Sequence, residues 1–102
     1  MYVLEYSDEA KSDIDNIAYW IAKEKGMPKT AFNYMRRLSK AIKEMAKYPM
    51  AYSIRTSPIA ILKYGLNVRR MNFEKFAVLF VIKDENTVYI HRVIAAKNIH
   101  SL

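Results

Sequence analysis

Apolar residues recur through the first half of the chain at the three- and four-residue spacing of a helix. Ala10, Ile14, Ile17 and Ile21 fall on one helical face, and Ala31, Met35, Leu38, Ile42 and Met45 repeat the pattern. The first stripe predicts a helix that starts at Ser7 or Asp8, whose side chains can accept from the open N–H groups of a first turn. Asp8 and Glu9 then sit at the positive end of its dipole. Gly26 marks its end, after about Lys25. The second helix starts at Pro28, which lacks only an N–H that a first turn leaves unpaired. It ends near Tyr48, because Pro49 disfavours helical geometry in the residue before it. Two helices joined by so short a link predict an antiparallel hairpin, and each has an apolar stripe to bury.

The period changes on either side of this hairpin. Residues 2–6 are β-branched and aromatic and predict a short first strand. Residues 50–63 show no period and are expected to be irregular, with Gly65 near the end of that stretch. Residues 68–75 mix basic and apolar side chains as a partly exposed strand does, and residues 76–82 are continuously apolar, as expected of a central strand covered on both faces. Lys83, Asp84, Glu85 and Asn86 predict a polar turn, and residues 87–94 alternate as one more strand. The expectation is one α+β domain over residues 1–102: an N-terminal strand, then a helical hairpin on one face of a twisted, mainly antiparallel sheet of three to five strands. The other face is expected to be partly open.

Composition narrows the class. The 102 residues contain no cysteine, which excludes disulfide scaffolds and thiolate metal sites. No apolar run approaches the ~20 residues of a membrane span, and Glu5, Asp8 and Glu9 occupy the start of the chain where an export signal is basic and then apolar. A cytoplasmic protein with no membrane partner is the expectation. The net charge of +7 is unevenly placed: residues 1–28 hold six carboxylates against three lysines, and all the excess positive charge lies beyond them. Such a surface attracts phosphate backbones or acidic proteins. A solvated helix face explains the cations of residues 29–47 equally well.

Few catalytic chemistries survive this composition. His91 and His100 lack the spacing of a metal-ligand set, Gly26 and Gly65 are too few for a phosphate-binding loop, and no cofactor is expected. Asp13 and Asp15 lie two apart on a helix and do not share a face. What remains is basic. Arg69 and Arg70 leave opposite faces of a strand, so one of them reaches the helix-free face, where Lys63, Arg92 and Lys97 are candidates to join it. Metal-free RNA cleavage needs such cations for the developing phosphorane charge, plus a base and a leaving-group donor. Scattered solvent-facing cations are an equally good account of these residues. Tyr19, Trp20, Phe32 and Tyr34 are candidate stacking platforms, although aromatics at helical spacing are more often core or interface.

The order of these elements, with particular residues inside them, resembles the RelE/ParE superfamily of type II toxins, on the ParE or plasmid-stabilisation branch. Tyr6-Ser7 followed by Glu9-Ala10, then Asp13-Ile14 with Ile17, is similar to the family's first strand and opening helix. Pro28 with Ala31, Leu38 through Pro49, Arg69-Arg70-Met71, and the strands over residues 76–82 and 87–93 continue the likeness. The resemblance implies a toxin that arrests growth by ribosome-dependent cleavage of mRNA or by poisoning DNA gyrase, and that a cognate antitoxin neutralises by wrapping a segment around it. It implies Arg70 and Lys97 as candidate catalytic residues of a metal-independent endoribonuclease, with His100 a loose stand-in for the family's late tyrosine or histidine; together with the basic residues Lys63, Arg69 and Arg92 above, His100 is a target-binding candidate. Where the resemblance implies an arginine after the aromatic that opens the central strand, Ala77 follows Phe76, so the RNA-cleaving set is incomplete. The alternatives are a non-enzymatic basic module that binds nucleic acid, or a degenerate toxin that only binds its antitoxin.

Overall fold

A computed structural model describes residues 2–26 and 28–98. Strand β1 (Val3–Tyr6) leads into α1 (Asp8–Lys25), α2 (Pro28–Met45) and a 3-10 turn at Pro49–Ala51. A third helix, α3 (Pro58–Tyr64), precedes β2 (Arg69–Phe73), β3 (Phe76–Asp84) and β4 (Thr87–Ala95), and a 3-10 turn follows at Ala96–Asn98. The four strands form one sheet in the order β1-β4-β3-β2. β1 runs parallel to β4, and the two remaining pairings are antiparallel.

Local chemistry accounts for the helix boundaries. The Ser7 hydroxyl accepts from the Ala10 N–H at 2.9 Å and donates to the His91 carbonyl at 2.6 Å, so one side chain caps α1 and ties it to β4. Gly26 closes α1 in the left-handed conformation, at φ 61°, where a side chain is strained. Helix α3 corrects the expectation of an irregular run over residues 50–63. It has its own start signal: Pro58 opens it, and Ser57 accepts from the Ala60 N–H at 3.1 Å.

The sheet separates two apolar clusters. On one face Ile17 and Ile21 of α1 and Leu38, Ile42 and Met45 of α2 pack against Val78 and Phe80 of β3 and Val88, Ile90 and Val93 of β4. On the other, Ala60 of α3 packs with Val68 and Leu79, flanked by Tyr64, Val81 and Ile94. The second face is therefore partly covered by α3, which makes β3 a strand buried on both sides. The turn from β2 to β3 uses Glu74 and Lys75, with Glu74 at φ 51°. Without a Gly or Asn-Gly signal it divides the stretch 68–82 where the sequence showed only a change in composition.

Candidate functional site

Residue Ser7 follows directly on β1, whose last partner on β4 is Ile90. Beyond that point β4 has α1 beside it, and side chains take the place of a ladder. Asp13 Oδ2 accepts from the Val93 N–H at 2.9 Å and from Arg92 Nε at 2.7 Å, while its Oδ1 accepts from Arg92 Nη2 at 2.9 Å. Glu9 adds a longer contact to the same guanidinium, at 3.6 Å. The bidentate pair holds Arg92 firmly in its charged form. A bulge sets this geometry: Leu79 pairs with Arg92 but Phe80 with Ile90, leaving His91 without an opposite residue. The extra residue lets Val88, Ile90 and Val93 all reach the hairpin-side core. His91 lies between Tyr64 and Tyr89, with ring centroids 5.4 and 5.0 Å away. Burial lowers its pKa, and Glu9 opposes that shift.

The candidate cations converge only in part: Arg70 and Arg92 pair with Leu79 from either side, and the others stand apart. Arg70 stands opposite Leu79, and so on the α3 side of the sheet, where its Nε donates to Asn72 Oδ1 at 2.8 Å. Arg69 points the other way and donates to the Tyr52 carbonyl at 2.5 Å, bracing the segment that follows α2. Lys63 is exposed on the last turn of α3. Arg92 is held by Asp13, as above. Lys97 lies in the turn after β4 and lines a cleft at the far end of the sheet. Arg70 pairs near the middle of β3 whereas Lys97 lies beyond the residue paired with Phe76, a displacement of roughly 10 Å along the strand. His100 lies outside the described residues.

Ala77 stands opposite Asn72 and Ile94, on the same face as Arg70, and its exposure is 0%. A methyl group fills the position beside Arg70 where the RNA-cleaving pattern places a guanidinium. The remaining pair, Arg70 and Asn72, offers hydrogen-bond donors to an anion but no general base. Among the described residues no group of three or more His, Cys, Asp or Glu is placed to hold a metal ion. No helix among them is long and apolar enough to cross a membrane.

A second feature is a cleft of about 890 Å³ between the helical hairpin and the ends of β3 and β4. Ile17, Trp20, Tyr34 and Phe76 give it an apolar lining, with Lys75 and Lys97 among its polar residues. Tyr34 is fixed by edge contacts to Phe73 and Phe76, at 5.6 and 6.2 Å between ring centroids. Arg37 lies over the Tyr34 ring and pairs with Glu74, joining α2 to the β2–β3 turn. Sequence reasoning offered Trp20 and Tyr34 as stacking platforms or as core or interface aromatics, and it weighed Asp13 only against Asp15 and not as a partner of Arg92. The four-residue step from Glu9 to Asp13 on the opening helix was the available signal for a carboxylate pair on one face.

A helical hairpin on one face of a four-stranded mixed sheet, with an apolar cleft at their junction, defines a RelE/ParE-type fold. Residues 4–99 match the family model described as ParE toxin of type II toxin-antitoxin system, parDE. The chain belongs to this family. A solved structure titled "Chromosomal ParDE TA system from P. aeruginosa" shares the fold, with a TM-score of 0.74 and 21% identity over 93% of this chain and 96% of that one. No curated protein is similar enough to count as a match.

Proposed function

We propose that this ParE-family toxin arrests growth by binding DNA gyrase, and that a cognate antitoxin neutralises it. The family supplies the toxin class, and the observation that carries the choice of target is Ala77. A single well-placed cation is worth several kcal/mol to a phosphoryl transition state, and this site has a buried methyl group in its place. Arg70 and Lys97, the residues that the nuclease reading relies on, lie roughly 10 Å apart along the strand direction. Ribosome-dependent mRNA cleavage is the second reading, favoured by the pairing of Arg70 with Asn72 and by Arg92 across Leu79 on the same face.

For the antitoxin, the cleft at Trp20 and Tyr34 fits an apolar segment that carries carboxylates to meet Lys75 and Lys97. The toxin's net charge of +7 favours rapid capture of such an acidic chain. Expression of the toxin alone is expected to stop growth, and co-expression of the adjacent short reading frame is expected to restore it. Growth that continues at full expression of the soluble protein would exclude the toxin reading and leave the degenerate form.

A further inference from the structure

Seven of the eleven large hydrophobic residues exposed among the described residues lie between positions 48 and 66, so one segment carries most of the protein's uncovered apolar surface. Helix α3 is its centre. Ala60 and Tyr64, four apart, face the sheet; Ile59 and Leu62, three apart, face outward, and Leu66 follows directly after the Gly65 cap. Leu62 is 85% exposed and Leu66 70%, which is the reverse of what a helix needs only to cover a sheet.

The charge of the same region is one-sided. Residues 45–73 contain Lys47, Arg55, Lys63, Arg69 and Arg70 and no carboxylate. Lys63 stands next to Leu62, and Arg70 lies on the same side of the sheet as α3. The outward side chains Ile59 and Leu62 of α3, and Leu66 after it, are aliphatic and offer no planar surface on which bases stack, which disfavours a nucleic acid as occupant of that face. Exposed aliphatics combined with a lack of Asp and Glu are the composition of a protein–protein contact core.

We propose that the outward face of α3, with Ile59, Leu62 and Leu66 as anchors and Lys63 beside them, is the surface that docks on the toxin's target, a protein presenting an apolar groove edged by carboxylates. This rests on the target reading above and assigns that contact to α3, away from the Trp20 cleft and from the sheet arginines. Target and antitoxin then occupy different surfaces of the molecule.

The test uses the full chain in three forms: wild type, the double variant Leu62→Ser/Leu66→Ser, and Val3→Ser as an exposed apolar control on β1. Each is titrated against purified DNA gyrase and against the antitoxin, and each is expressed in cells. The double variant is expected to melt at the wild-type temperature, to bind antitoxin normally, to bind gyrase roughly tenfold or more weakly, and to lose growth arrest. Val3→Ser is expected to match wild type in all four. Wild-type gyrase binding and arrest by a folded double variant would overturn the α3 surface and leave the toxin reading standing. Loss of antitoxin binding in place of gyrase binding would assign α3 to the antitoxin and overturn the proposal. Leucine-dependent binding of the wild type to phosphatidylglycerol vesicles or duplex DNA, with none to gyrase, would replace the protein target and overturn it too. A wild-type protein that neither arrests growth nor binds gyrase would remove the target reading and this inference together.

Discussion

Asp13 holds Arg92 through two parallel hydrogen bonds, of 2.7 and 2.9 Å, and uses the same carboxylate to accept from the backbone of Val93. One side chain on α1 thus closes the half of β4 that β1 does not reach. Removing it leaves a part-buried guanidinium and a strand N–H without that acceptor. Asp13→Ala is therefore expected to cost about 1–3 kcal/mol. The check is thermal unfolding, with the midpoint falling by roughly 5 °C or more. A change of only a degree or two would mean that water replaces the carboxylate.

Ala77 links the fold to the choice of activity. Its exposure is 0% between Asn72 and Ile94, so a guanidinium introduced there must displace the side chains that cover the methyl group. Ala77→Arg is expected to destabilise by more than about 3 kcal/mol and to gain no RNA cleavage. Denaturant unfolding and a messenger cleavage assay on the same preparation check both parts. A stable variant that cuts RNA would show that the nuclease site is one residue from completion.

His91 makes stability depend on pH in a stated direction. Burial between Tyr64 and Tyr89 lowers its pKa below the ordinary 6.5. The unfolded chain therefore takes up this proton first as pH falls, so stability rises with pH across the interval from the lowered pKa to about 6.5. Above that interval the contribution is fully present; below it, lost. His91→Gln is expected to flatten this part of the profile, checked by comparing melting temperatures of the two proteins at about pH 7.5 and about pH 5.5. An identical slope in both would place the titration elsewhere.

Asn67 lies in the left-handed region at φ 72°, in the loop that leads from α3 to β2. Asparagine and glycine tolerate this conformation and alanine does not. Asn67→Ala is expected to lose about 1 kcal/mol while Asn67→Gly stays near wild type. Equal stability of the two in denaturant titration would show that the loop relaxes instead.

Much of the fold was legible because its signals are local and periodic. The stripes of Ile14, Ile17 and Ile21 and of Leu38, Ile42 and Met45 fixed both long helices, and the apolar run after Phe76 marked the central strand. Helix α3 was less legible: at seven residues it is too short to show a period, and its outward side chains are apolar where a covering helix is usually polar. The candidate site was legible only as residue types. Nothing in the spacing of Asp13 and Arg92, 79 positions apart, announces an ion pair that ties one of the five proposed cations to α1. That Arg70 stands on the α3 side of the sheet, roughly 10 Å along the strand from Lys97, depends on register, which a bulge and a two-residue turn set; a one-residue slip would turn Arg70 to the other face.

The most direct test of the central claim sets purified gyrase and translating ribosomes side by side, each treated with the wild-type toxin and with Arg70→Ala and Lys97→Ala. The expected result is loss of supercoiling or accumulation of cleaved DNA with gyrase, intact mRNA on the ribosome, and little change in either substitution. Ribosome-dependent mRNA cleavage that disappears with Arg70→Ala or Lys97→Ala, with gyrase unaffected, would contradict it.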